Sequence, residues 1–143
     1  MKNRSTLWWI IGITVVVVGL VAWSRFLQNN DPDVVVRDGL HWHPRLTIYV
    51  RDVKQEIPAN IGLGAVHLPM HTHVEDAAQG IIHLEFSGRV ANDDLKLGNF
   101  FKNWDRDMRS FGENMLMTVD GVENSEYEDY LLRDKDVIEL RYD

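Results

Sequence analysis

The sequence predicts an α+β protein, with one apolar N-terminal helix able to cross a membrane and a small domain in which a second helix lies over a sheet. Three observations carry this. Leu7 to Trp23 is a run of 17 residues without a charge. Beyond residue 40, apolar and polar residues alternate with period two in several short runs bounded by turn-forming residues. Between those runs, Leu97, Phe101, Trp104 and Met108 recur at helical spacing, with Phe100 beside them.

The apolar run would span about 26 Å as a helix, against a hydrocarbon core of roughly 30 Å. Phe26 and Leu27 extend it, which places a transmembrane helix over 7–27. Trp8 and Trp9 lie at one end and Trp23 at the other, at the levels where interfacial aromatics sit. Lys2 and Arg4 precede the run, so residues 1–6 are expected in the cytoplasm and the C-terminal body outside it. Ala22-Trp23-Ser24 is a poor cleavage site, and there is no cysteine for a lipid anchor. A retained single-pass anchor in the cell membrane is therefore expected over a cleaved signal or a buried core helix. Residues 28–40 read as a linker, with Gln28 to Asp33 polar, and 41–143 as the extracytoplasmic domain.

Within that domain, His43-Pro44 opens a strand in which Leu46, Ile48 and Val50 alternate with Arg45, Thr47 and Tyr49. Arg51-Asp52 is a turn, and Val53, Gln55 and Ile57 return the chain as a hairpin closed by Pro58. Residues 58–64 form a loop. Val66 to His73 is a short segment and Val74 to Gly80 a polar loop. Ile81 to Phe86 is a strand, with Ile81, His83 and Glu85 on one face and Ile82, Leu84 and Phe86 on the other. Asn92-Asp93-Asp94 can cap a helix running from about Lys96 or Gly98 to Arg109, stopped by Gly112, with Phe101 and Trp104 against the sheet. Asn114 to Val119 is a strand, Asp120-Gly121 a turn, and Val137 to Tyr142 the last strand. Hairpin, helix and two further strands fit a β-grasp-like arrangement with an inserted His-bearing hairpin. An all-β cupredoxin-like sandwich or barrel is the alternative.

The chain carries 15 basic and 22 acidic residues, a net charge of −7. The only charges before Asp31 are Lys2, Arg4 and Arg25, so the body is more acidic than the whole. Nucleic acid is excluded as a partner, because phosphate binding needs a basic footprint. There is no cysteine, which excludes thiolate metal sites, iron–sulfur clusters and a cysteine nucleophile.

Histidine is the distinctive inventory. Five of the six fall in three tight groups: His41-Trp42-His43, His71-Thr72-His73, and His83 with Glu85. Residues i and i+2 of a strand share a face, so each H-x-H presents two imidazoles to one ion or to neighbouring ones. The spacing points to a metal site of His41, His43, His71, His73 and His83. Glu85 is read as the acceptor that fixes a ligand's tautomer, or else as a ligand or base. Met70, Met115 and Met117 are soft-ligand candidates. His67 is read as structural, the Phe100, Phe101 and Trp104 group as core, and Glu123, Glu126, Glu128 and Asp129 as a solvated loop without the calcium-loop pattern.

The strings H-W-H-P-R-L-T-I-Y-V (41–50), I-P-A-N-I-G (57–62), H-T-H (71–73), G-I-I-H-L-E (80–85) and L-G-N-F-F-K-N-W (97–104) resemble a family of small exported or membrane-anchored proteins of bacteria and archaea, mostly uncharacterised. The resemblance covers about 41–142 and singles out His41, His43, His71, His73, His83 and Glu85. The family continues H-T-H with Asp and soon a glycine; here the acid is displaced to Asp76, which weakens the case for it as a ligand or proton carrier.

The expected function is a membrane-anchored, extracytoplasmic, histidine-rich metal-binding protein, with a copper ion as the first cofactor and a zinc ion as the alternative. Copper tops the affinity series and accepts imidazole-only sites. An enzyme is the less favoured reading. It would be a small metalloenzyme with a His-ligated zinc, copper or iron centre, and Glu85 as base. The third reading is an accessory subunit of a larger membrane complex. Beyond the membrane itself, such a complex or a homo-oligomer is the expected partner.

Overall fold

A computed structural model describes residues 4–143; Lys2, which contributes to the orientation argument, lies outside them. The chain divides after Asp33 into two compact units.

The first is a single helix, α1, Arg4–Asn29. It is uninterrupted and longer at both ends than the apolar run, because Arg4, Arg25 and Gln28 are all good helix formers. At about 39 Å it exceeds the hydrocarbon thickness, and it is long and apolar enough to cross a membrane. The one hydroxyl within the apolar run is satisfied by the helix itself: Thr14 Oγ1 donates to the Ile10 carbonyl at 2.9 Å, as a polar group in lipid must be.

The second unit begins at Val34, inside the stretch read as linker. Its strands are β1 (Val34–Val36), β2 (Leu40–Trp42), β3 (Arg45–Val50), β4 (Val53–Gln55), β5 (Met70–His71), β6 (His83–Phe86), β7 (Val90–Ala91), β8 (Leu116–Val119), β9 (Val122–Glu123) and β10 (Val137–Tyr142), with α2 (Leu97–Asn103) between β7 and β8. Five strands form one mixed sheet in the order β4-β3-β10-β8-β9. Its central pair, β3 and β10, is parallel, from Arg45 opposite Val137 to Val50 opposite Tyr142; the other pairs are antiparallel. The sheet is open, ending at β4 and β9, so the barrel alternative is not formed. Both hairpins close through two residues of positive φ, Arg51-Asp52 and Asp120-Gly121, the backbone that matches strand twist in two-residue turns.

The sheet's inner face contributes Leu46, Ile48, Met117, Ile138 and Leu140, all buried, and α2 lays Leu97, Phe100 and Phe101 into the same core. Met117 and half-buried Met115 pack in or against this core, so these two candidate soft ligands are packing residues.

The helix is shorter than its apolar spacing suggests. It ends at Asn103, and a separate 3-10 turn covers Met108–Phe111. Asp105 takes a left-handed conformation, φ 54°; its N–H donates to the Lys102 carbonyl and that of Arg106 to the Phe101 carbonyl, each at 3.0 Å. This pair of bonds closes a helix C-terminus. The i, i+3, i+4 pattern ran on past Trp104 because the following turn buries Met108 in the same core. Asn92–Leu95 likewise forms its own 3-10 turn rather than a helix cap.

The candidate metal centre

A second, three-stranded antiparallel sheet carries the histidines, in the order β2-β6-β5. Its register explains their convergence. His41 lies opposite Glu85, and His71 opposite His83. Glu85 and His83 are two apart on the central strand, so all four side chains share one face. The intervening residues take the other face: Leu84 and Met70 are buried in the core, with Leu40, Trp42 and Phe86 packed against it. Met70, the remaining soft-ligand candidate, thus points away from the imidazoles.

The H-T-H segment is held by the residue between its histidines. Thr72 is fully buried. Its Oγ1 donates to the Pro58 carbonyl at 2.8 Å and accepts from the Ile61 N–H at 3.1 Å. Its backbone pairs with Ile61 and Asn60. The I-P-A-N-I-G loop is therefore a clamp for the two ligand candidates. Replacing Thr72 with Val keeps the shape and strands the buried Ile61 N–H and the Pro58 carbonyl, at a cost of roughly 1–3 kcal/mol, readable as a lower denaturation midpoint of the metal-free protein. From Thr72 the chain loops through a 3-10 turn at Ala77–Gln79 and returns at Gly80 into β6. Gly80 has φ 75°, and a Cβ there would collide with the Leu46 carbonyl oxygen, so only glycine fits.

Ring contacts include two triangles that share His83, and His67 adds contacts to His71 and His73. In one triangle, His71 and His73 lie 4.7 Å apart by ring centre, His73 and His83 4.6 Å, and His71 and His83 5.5 Å. In the other, His41 and His43 lie 4.6 Å apart, His43 and His83 4.8 Å, and His41 and His83 6.3 Å. The first triangle gains Glu85: His71, His73, His83 and Glu85 each offer a donor atom within 4.8 Å of the others, and His41, His43 and His83 form a second such set. The five sequence-selected histidines and Glu85 are thus brought to one region, divided between two overlapping donor sets. His67, read as structural, is exposed, with its ring 4.4 Å from that of His71; it lines the rim rather than the core.

Hydrogen bonds fix which nitrogens carry lone pairs. His71 Nδ1 lies 3.1 Å from the Leu68 carbonyl; a carbonyl can only accept, so Nδ1 holds the proton and Nε2 is free to ligate. His71 Nε2 and His73 Nε2 are 3.1 Å apart. Two nitrogens on one ion at about 2.0–2.1 Å would be separated by roughly 2.9 Å at a right angle and 3.3 Å at the tetrahedral angle. His83 Nε2 lies 3.0 Å from Asp76 Oδ2, which makes it the donor and leaves Nδ1 as the lone pair. That Nδ1 is buried without a hydrogen-bond partner. A buried polar atom with no partner is costly, and a cation on the ligand side of the ring would satisfy it. On this observation the donor set fits a metal ion.

Asp76 is the acid whose role is left open by its displacement after H-T-H. The turn at 77–79 brings it back onto His83, in the place of the carboxylate that orients a ligating imidazole. Glu85, expected in that role for one of the imidazoles, lies with Oε1 3.0 Å from His41 Nε2 and 3.9 Å from His83 Nδ1. It orients His41 and faces the first donor set. The sequence signal for Asp76 was an acid between two histidines in a loop short enough to close a hairpin. Asp76→Asn should weaken metal affinity about 10- to 100-fold, the usual effect of losing an orienting carboxylate, as read by competition against a chelator.

Burial lowers the pKa of His71 and of His43; charge repulsion from His83 and His41 adds to the effect at His43, and from His67 and His73 at His71. Both imidazoles therefore stay neutral below the ordinary value of about 6.5. An imidazole with a lowered pKa binds fewer protons folded than unfolded. The metal-free domain should thus keep its full stability above about pH 6.5 and lose it as the pH falls through the lowered values. Thermal melts between about pH 8 and 5 would show a flat midpoint and then a decline.

Comparison of the chain with protein-family models, curated proteins and solved structures gives no match.

Proposed function

We propose that the protein is a membrane-anchored, extracytoplasmic metal-binding protein that handles copper. The observation that carries the reading is the convergence of His71, His73, His83 and Glu85, with His83 Nδ1 buried and unpartnered. The chemistry of the set favours copper among the candidates. It offers imidazoles and a carboxylate, no thiolate, and copper(II) leads the affinity order for such ligands. Arg4 and Lys2 ahead of the apolar helix support an outside domain. The strand order around a central parallel pair, with α2 between the hairpins, supports a β-grasp-like body with the histidine sheet inserted. The motif resemblance agrees with an exported, anchored protein.

Metal analysis of the full chain, purified in mild detergent without added metal, tests the reading. Copper near one equivalent is expected, lost through purification in the His71→Ala, His73→Ala double variant. The copper form should lack an intense thiolate charge-transfer band. Zinc at the same stoichiometry would replace the copper assignment; no metal, and no uptake of added copper, would overturn the reading. Protease added to intact spheroplasts should degrade the domain, and its protection would overturn the orientation.

A second reading has one observation in its favour. A cleft of about 370 Å³, lined by residues including His67, His71, Glu85 and Arg89, opens beside the first donor set. Such a space suits a small metalloenzyme with zinc, copper or iron and an open coordination position. An exchangeable water on the bound ion would favour it.

A further inference from the structure

Resting on the metal-binding reading, we propose that His41 and His43 form an outer docking position that shares His83 with the inner set. One ion then enters and leaves by passing between the two positions.

The two ring triangles meet at His83 alone among the contacts given above. His83 has one usable lone pair, because its Nε2 proton is committed to Asp76. One lone pair binds one ion, so the two sets exclude each other and a second ion is not accommodated. Their depths differ. Of the residues that the sets do not share, His71 is fully buried, His73 half-buried and the Glu85 side chain 41% exposed, whereas the His41 side chain is 60% exposed and His43 is half-buried. An ion arriving past His41 meets the outer pair first; one arriving by the cleft lined by His67, His71 and Glu85 would bypass it.

The path between the positions is short. The row containing His41 and Glu85 and the row containing His71 and His83 are adjacent on one sheet face, about 7 Å apart along the strand. Glu85 belongs to the inner set, yet its Oε1 holds His41 of the outer one at 3.0 Å. One carboxylate therefore faces both positions. With His83 retained throughout, each outer bond can be replaced by an inner one, and the ion is never stripped bare on its way into a buried site, which would be the costly step. The backbone N–H of His43 donates to Asp134 Oδ1 at 3.0 Å, which fixes the outer pair at the mouth rather than leaving it on a loose strand end.

The test uses the full chain in detergent micelles, with Cu(II) supplied as its glycine complex and removed by EDTA. A His41→Ala, His43→Ala variant should still take up one ion per chain, but loading and removal should both slow by about tenfold or more and by similar factors, as for loss of a route rather than of a ligand. A His71→Gln, His73→Gln variant should hold Cu(II) only weakly and in fast exchange, with the nitrogen couplings of its spectrum lost on further removal of His41 and His43. Loading at the wild-type rate in the first variant would overturn the proposal. So would faster release with weakened affinity, which would make His41 and His43 ordinary ligands. Two ions bound at once to the wild type would also overturn it, while leaving metal binding intact. No uptake by the wild type would remove the metal reading and this proposal together.

Discussion

His83→Ala should abolish tight metal binding, with affinity falling about a thousandfold or more. The expectation differs from that for any other single histidine because His83 belongs to both donor sets. Loss of His41 or His43 leaves the inner set complete, and loss of His71 or His73 leaves the outer one. Loss of His83 leaves only the pair His41 and His43 in the outer set and His71, His73 and Glu85 in the inner one, and strands Asp76, whose partner was the His83 N–H. A tetrahedral or tetragonal site reduced by one imidazole loses several kcal/mol, and every ~1.4 kcal/mol is a factor of ten. Removing a nearly buried ring also leaves a cavity, so the His83→Gln variant should be measured beside it. Titration against a calibrated chelator, with folding followed by circular dichroism, separates loss of ligation from loss of fold. Binding of His83→Ala within about tenfold of wild type would mean that the triangles do not meet at the ion.

Much of this site is legible in the sequence. The period-two rule placed His83 with Glu85, and His41 and His43 on one face, and the strand register then brought those faces together. Two features were not legible. The division into two sets depends on the pairing of β2 and β5 on opposite sides of β6, a long-range choice on which local alternation is silent. The role of Asp76 depends on a 3-10 turn that re-aims a loop acid, and loop direction is set by Gly80 and its contact with Leu46 rather than by any periodic pattern. In the fold, the hairpin turns were legible from their residue pairs, and the helix from its apolar spacing. Its end was not, because Asp105 takes a left-handed conformation more often served by glycine or asparagine.

The position of that helix end sets the largest stability effect expected. Phe101 is buried at 2% exposure, within the cluster formed with Phe100, Leu97 and the sheet. Trp104 sits at the C-terminal cap and is only partly buried, with the Arg106 guanidinium over its ring. The apolar spacing treats the two alike; the structure does not. Phe101→Ala should cost about 3–5 kcal/mol, and Trp104→Ala clearly less, roughly 1–2 kcal/mol, since its ring packs at the edge of the core and is only partly withdrawn from water. Urea denaturation of the metal-free protein would show the difference, and equal losses would place Trp104 in the core after all. The helix also reaches the site. Asn103 Nδ2 donates to the Met70 carbonyl at 2.8 Å, tying the end of α2 to the strand that carries His71. A ligand that binds only the folded state at 100 times its dissociation constant stabilises by about 2.7 kcal/mol. Copper at that excess should therefore restore a large part of the stability lost in Phe101→Ala and none of that lost in the same substitution combined with His83→Ala. The contrast between those two melts would tie the core, the helix and the imidazoles to one folding unit.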